Sequence, residues 1–164
     1  MHRRSVAVFD RFLAALSAIL AKAEAHCEAR KIKPEVILSA RLFPDMFPLV
    51  KQVQLACDFA ARGTARLAGA EPKCFPDNET TFAELKDRIA AARGYMGSFQ
   101  PEDFAHAAER EIHFKAGGHD MVLKGEDFLS FYALPQFFFH VATAYDILRH
   151  NGVELGKRDY MGGP

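Results

Sequence analysis

Tryptophan is absent from this chain, cysteine is rare, and neither sign of charge prevails. The three cysteines, Cys27, Cys57 and Cys74, are odd in number and show no C-x-x-C spacing. That argues against a disulfide framework or a cysteine zinc site and leaves packed or incidental thiols. Lysine plus arginine and aspartate plus glutamate balance at 21 each, so no global field draws the protein to nucleic acid or an anionic membrane. No apolar run approaches the roughly 20 residues that span a bilayer. Met1-His2-Arg3-Arg4 has the charge of a signal n-region, but Asp10 and Arg11 interrupt the apolar stretch after it, whose residues recur at helical spacing. A cytoplasmic protein is the expectation. There is no Gly-x-Ser-x-Gly, P-loop or dinucleotide fingerprint, and no internal repeat or low-complexity tract.

What is present is phenylalanine, 15 residues of it, in a chain of 164 that is 49% apolar and 26% charged. This is the composition of an ordinary globular protein, and the length suits one domain with a thick aromatic core. The apolar positions Phe9, Phe12, Leu13, Leu16, Ile19, Leu20 and Ala23 predict a first helix over 5–30, with Ser5 as N-cap. A short helical piece is expected over 34–42, led by Pro34. Asp45 is placed to cap a second long helix over 46–67, whose inner stripe is Phe47, Val50, Val53, Gln54, Cys57 and Ala61. Thr81-Phe82-Ala83-Glu84 is a capping-box pattern opening a third helix to about Met96. Ile112, Phe114, Met121 and Leu123 alternate around Gly117-Gly118, the pattern of a tight β-hairpin. A last long helix runs from about Gly125 to His150 and ends at Asn151-Gly152. Four long helices with one hairpin before the last make an all-α four-helix bundle the expected fold.

The last helix carries the most information. Phe137, Phe138 and Phe139 fan over about 200° at roughly 100° per residue, so at least one ring faces away from the main seam. Another element or a second copy must cover it, and a homodimer through aromatic-rich helical faces is one expectation. Pro135 removes one backbone bond and predicts a kink near Phe131. Tyr132, Gln136 and His140 stand at i, i+4 and i+8, and so share one face beside that kink.

The segment His140-Val141-Ala142-Thr143-Ala144-Tyr145-Asp146-Ile147-Leu148-Arg149-His150-Asn151-Gly152 is similar to the last-helix signature of the DinB/YfiT-like metalloenzyme superfamily. Together with Ala40-Arg41-Leu42-Phe43-Pro44-Asp45-Met46, Phe137-Phe138-Phe139-His140 and Leu155-Gly156-Lys157-Arg158-Asp159, it more closely resembles an uncharacterised bacterial branch of that superfamily. The resemblance covers nearly the whole chain. It implies a DinB-like four-helix bundle, often dimeric, with a divalent-metal site of three histidines in the better-known members. Two of those histidines would come from a His-x-x-x-His pair on the last helix and one from the second helix. Here His140 takes the final position, while Gln136 and Gln52 stand at the other two, and Ala142-Thr143 replaces a Gly-Gln pair.

Two neutral amides in place of two imidazoles make a poor zinc site and a good hydrogen-bonding cluster. Three readings are open. In the first, Gln52, Gln136, His140 and Tyr132 line an inter-helix cleft for a small polar ligand, with no cofactor expected. In the second, a divalent metal such as nickel or zinc binds at His140, supplemented by Asp58 or Asp10, and serves a thiol-dependent transferase or a hydrolase. In the third, the protein is a structural homodimer without pocket chemistry. No catalytic residue is assigned. His26, His106, His113, His119 and His150 are scattered surface residues in this reading, Cys57 is a packed small hydrophobe, and Lys157-Arg158-Asp159 belong to a solvated tail.

Overall fold

The computed structural model describes residues 1–163. Helix α1 (His2–Arg30) is followed by a short α2 (Pro34–Leu38), then α3 (Leu49–Ala68) and α4 (Phe82–Gly97). A 3-10 turn (Pro101–Phe104) leads to the strands β1 (Glu111–Ala116) and β2 (His119–Lys124). The chain then enters a continuous helical run: α5 (Gly125–Phe128), a π turn (Leu129–Ala133) and α6 (Leu134–His150). A short α7 (Lys157–Met161) closes the fold. Helix α3 lies between α4 and α6, and α1 packs against both of these to complete the bundle.

Most positions of the predicted stripes are buried, with Phe12 and Val50 half-buried. Phe9, Leu13, Leu16 and Leu20 of α1 are fully buried, and meet Val53, Ala56 and Ala60 of α3, Leu85 and Ala92 of α4 and Phe137, Val141 and Ala144 of α6 in one apolar cluster. Burial of each large side chain contributes about 1.5–3 kcal/mol, which outweighs the weak intrinsic preferences of the individual helices. Thr81 and Glu84 form the expected reciprocal capping box at the start of α4. The hairpin pairs Glu111 with Lys124 through Ala116 with His119, and Gly117 and Gly118 take φ of 57° and 83°. Two consecutive positive φ values define the mirror-image turn whose twist matches the strands. At Gly125, where β2 joins α5, a Cβ would lie 1.7 Å from the carbonyl oxygen of Ala107. Only glycine permits that approach of two backbones.

Several boundaries differ from expectation. Helix α1 begins at His2, so Ser5 is not its cap; it is buried one turn inside, and its hydroxyl donates back to the carbonyls of Met1 and His2. Helix α2 stops at Leu38 rather than 42. Helix α3 starts at Leu49, not 46, and Asp45 makes no cap: the extended backbone of Pro48 occupies that position, and the Leu49 amide donates to the carbonyl of Ala40. Proline disfavours helical geometry in the residue before it, so Phe47 falls outside the helix and is 55% exposed instead of joining the stripe. The irregularity expected from Pro135 takes the form of the π turn around Phe131, in which the Leu134 amide reaches back to Leu129. The C-terminal segment is folded: Asp159 accepts from Lys22 at 2.6 Å, Tyr160 packs edge-on against Phe12, and Arg11 donates to the carbonyls of Met161 and Gly162.

No helix among the described residues is long and apolar enough to cross a membrane.

Candidate functional site

The predicted site residues come together where α3 faces α6. Gln52, in the first turn of α3, is buried and places its Oε1 2.7 Å from Nδ1 of His140. Its amide nitrogen donates to the carbonyl of Phe47 at 3.0 Å. Both ends of the side chain are therefore committed, and the orientation of the amide is fixed by the Phe47 carbonyl, which only the nitrogen can address. Since Oε1 can only accept, Nδ1 of His140 carries the hydrogen. Burial pushes the imidazole pKa down to about 4, so the ring is neutral near pH 7 and its Nε2 is an unprotonated acceptor. Nε2 has no hydrogen-bond partner among the described residues, and it is not one of the fully sealed unpartnered polar atoms.

Aromatic rings hold the imidazole in place. Phe59 stacks on His140 with centroids 5.5 Å apart and planes 12° apart, and Phe139 meets it edge-on at 5.3 Å. Phe59 is seven residues after Gln52, which puts both on the same face of α3 at helical spacing. That spacing is the one signal in the sequence that points to Phe59, which is not among the residues expected at the site.

Of the predicted ladder, Tyr132 meets the Phe59 ring edge-on, with centroids 5.9 Å apart. It also packs on Phe114 at 4.5 Å and Phe128 at 5.6 Å. Gln136 is half-buried between these positions and makes no hydrogen bond among the described residues. The fold thus joins Gln52 to His140 directly, and Tyr132 to His140 only through Phe59. Of the three consecutive rings on α6, Phe137 is buried against Phe9 at 4.9 Å, Phe138 packs on Phe12 at 4.9 Å, and Phe139 remains 55% exposed.

The donor set does not fit a three-ligand metal centre. Catalytic zinc sites use imidazole, thiolate or carboxylate donors, and here the one imidazole has its Nδ1 occupied by an amide that is itself engaged elsewhere. The carboxylates considered as supplements are committed to guanidiniums: Asp58 to Arg88 at 2.6 Å and Arg62 at 2.9 Å, Asp10 to Arg93 at 2.6 Å. No group of three or more His, Cys, Asp or Glu side chains among the described residues could hold a metal ion. Cys57 is fully buried and its thiol pKa is pushed up to about 12, chiefly by burial, so it is inert as a nucleophile.

With this geometry in view, the relatives are informative. The family model of a domain of unknown function, DUF1993, matches residues 1–161. Among solved structures, a DinB family member protein from Shewanella denitrificans shares 44% sequence identity, covers 99% of this chain and 92% of its own, and superposes with a TM-score of 0.93. No curated protein matches the chain.

Proposed function

The chain belongs to the DUF1993 family and to the wider DinB family of helical bundles, and we propose that on this scaffold it is a binding module for a small polar ligand. The ligand is held between α3 and α6, with Nε2 of His140 as acceptor, Gln136 as an adaptable second contact and Tyr132 at the far end. The observation that carries this reading is the bond from His140 Nδ1 to Gln52 Oε1, because it makes Nε2 the acceptor. A hydroxyl, amide or ammonium donor suits that nitrogen. The unpaired amide of Gln136 can then either donate or accept.

The test is a nuclear magnetic resonance screen of hydroxyl-, amide- and amine-bearing fragments against protein labelled with 15N-histidine. Fragments that bind should move the His140 Nε2 resonance and lose affinity in His140→Phe. A set of binders that leaves His140 unmoved would overturn the reading. So would stoichiometric nickel or zinc in protein purified without chelator or histidine tag, if the metal is lost in His140→Ala; that result would favour a metal-dependent transferase or hydrolase.

A second reading, self-association, draws on exposed rings. Phe131 and Phe139 are 77% and 55% exposed, with the exposed Pro135 between them. A chain of zero net charge meets no long-range repulsion from a second copy, and aromatic rings are the side chains that interfaces bury most profitably.

A further inference from the structure

A recess of about 210 Å³ lies between α3, β1, α5 and the π turn, with Phe59 in its lining. Asp58, Phe59, Arg62, Arg66, Lys115 and Tyr132 are among the residues lining it. Its charges do not cancel. Asp58 is the only carboxylate there, and its Oδ1 already receives Arg88 at 2.6 Å while its Oδ2 receives Arg62 at 2.9 Å. Arg62 still has its Nε buried without a partner. Arg66, on the next turn of α3, makes no ion pair or side-chain hydrogen bond among the described residues. Burial first, and then repulsion from Arg62, hold its pKa below the usual arginine value. Lys115 reaches only Asp120, at 3.8 Å on the exposed hairpin.

Aromatic rings line the same recess. Phe59 and Tyr132 meet edge-on at 5.9 Å, and Phe128 backs Tyr132 at 5.6 Å. The lining thus offers a ligand both unsatisfied positive charge and aromatic surface. Guanidinium forks match a carboxylate in geometry as well as sign. The volume falls below the roughly 300–1,000 Å³ of pockets for drug-sized ligands, which limits the occupant to about one ring.

We propose that this recess binds a small aromatic monocarboxylate, its carboxylate on Arg62 and Arg66 and its ring against Phe59 and Tyr132. Inorganic phosphate would satisfy the cations but leave the aromatic wall uncovered, so it is the weaker ligand. His140 is not among the residues lining the recess; the recess shares Tyr132 with the proposed ligand site at His140, but its cations are its own and it stands whether or not the His140 nitrogen binds anything.

The experiment is calorimetric titration of the full chain at low ionic strength with benzoate, with its neutral counterpart benzamide, and with inorganic phosphate. Benzoate should saturate one site and bind at least about tenfold more tightly than either of the others. Arg66→Gln, which breaks no ion pair, should weaken benzoate about tenfold, and Lys115→Gln, on the exposed strand, should weaken it severalfold without affecting the bundle. Arg149→Gln, an exposed α6 arginine away from the recess, should bind benzoate as the wild type does. Non-saturating benzoate, benzamide or phosphate binding as tightly, equal loss in Arg149→Gln, or wild-type affinity in both Arg66→Gln and Lys115→Gln would each overturn the proposal.

Discussion

Gln52 and His140, 88 residues apart in sequence, are joined by a buried 2.7 Å hydrogen bond that ties the start of α3 to the middle of α6. The bond fixes which imidazole nitrogen carries the hydrogen, and the Phe47 carbonyl fixes the amide in turn. At neutral pH the 15N spectrum of His140 should show the Nδ1–H form alone. Gln52→Leu would leave that hydrogen without a buried partner and cost about 1–3 kcal/mol. An even mixture of tautomers in the wild type would contradict the assigned orientation.

Stability should fall with acid through the same ring. The folded pKa of about 4 lies below the ordinary value of 6.5, so above pH 6.5 neither state binds a proton there and the contribution is fully present. Between about pH 6.5 and 4 the unfolded chain takes up a proton that the folded one refuses, and stability is lost progressively, by up to about 3 kcal/mol. Urea midpoints measured across that window should slope downward with acid in the wild type and less steeply in His140→Phe. Parallel slopes would show that His140 is not the group responsible.

How legible this was in the sequence depends on distance along the chain. Where one element carries the whole signal, the residues sufficed: the stripe of Phe9, Leu13 and Leu16, the Thr81–Glu84 box and the Gly117-Gly118 turn all form as their pattern implies. Gln52 and His140 come together in the sequence only because the family resemblance links two distant positions. The start of α3 misleads because Asp45 has the chemistry of a cap, while the cost imposed by Pro48 and the bond from Leu49 to Ala40 decide the boundary. The Arg62 and Arg66 recess was illegible for a different reason. Arginines four apart on a helix read as an ordinary solvated face, and only the hairpin and π turn folding over them make a cavity.

Arg88 shows what a buried charge requires. It is 4% exposed, donates to Asp58 at 2.6 Å, to Glu79 at 3.0 Å and to the Pro76 carbonyl at 2.8 Å, and lies 4.8 Å over the Phe75 ring. These contacts pin the irregular segment after α3 onto α3 and α4. Arg88→Met would leave the Glu79 carboxylate without a cation and Asp58 with Arg62 alone, and should destabilise the protein by about 3–5 kcal/mol. Arg88→Met combined with Glu79→Gln should recover part of that loss, since the stranded charge is removed. A loss below about 1 kcal/mol in the single variant would show that water replaces the guanidinium.

Gly125 should be the least replaceable glycine. Its missing Cβ would overlap the Ala107 carbonyl, a backbone atom that cannot rotate away. The Gly125 amide also donates to the Arg110 carbonyl at 2.9 Å, so the junction is held from both sides. Gly125→Ala should destabilise by at least about 2 kcal/mol, through backbone strain or rearrangement of the segment before β1. Gly94→Ala, on α4 with nothing within 4 Å of the added carbon, should instead stabilise by about 0.5–1 kcal/mol through helix propensity. The two variants in parallel thermal melts check both signs.

The exposed rings of the π turn and α6 make the proposed self-association measurable. Phe131 is 77% exposed although neighbouring Tyr132 is packed among Phe59, Phe114 and Phe128. Light scattering at micromolar concentration should give a dimer, and Phe131→Ser with Phe139→Ser should shift it to monomer while the helical circular dichroism remains. Neither ring fills the core, so the double variant should fold. Phe139 also meets His140 edge-on, which couples the two proposals: dissociation by Phe131→Ser alone should leave the His140 resonances in place, whereas Phe139→Ser should move them. A wild-type monomer would overturn the dimer and leave the His140 site untouched.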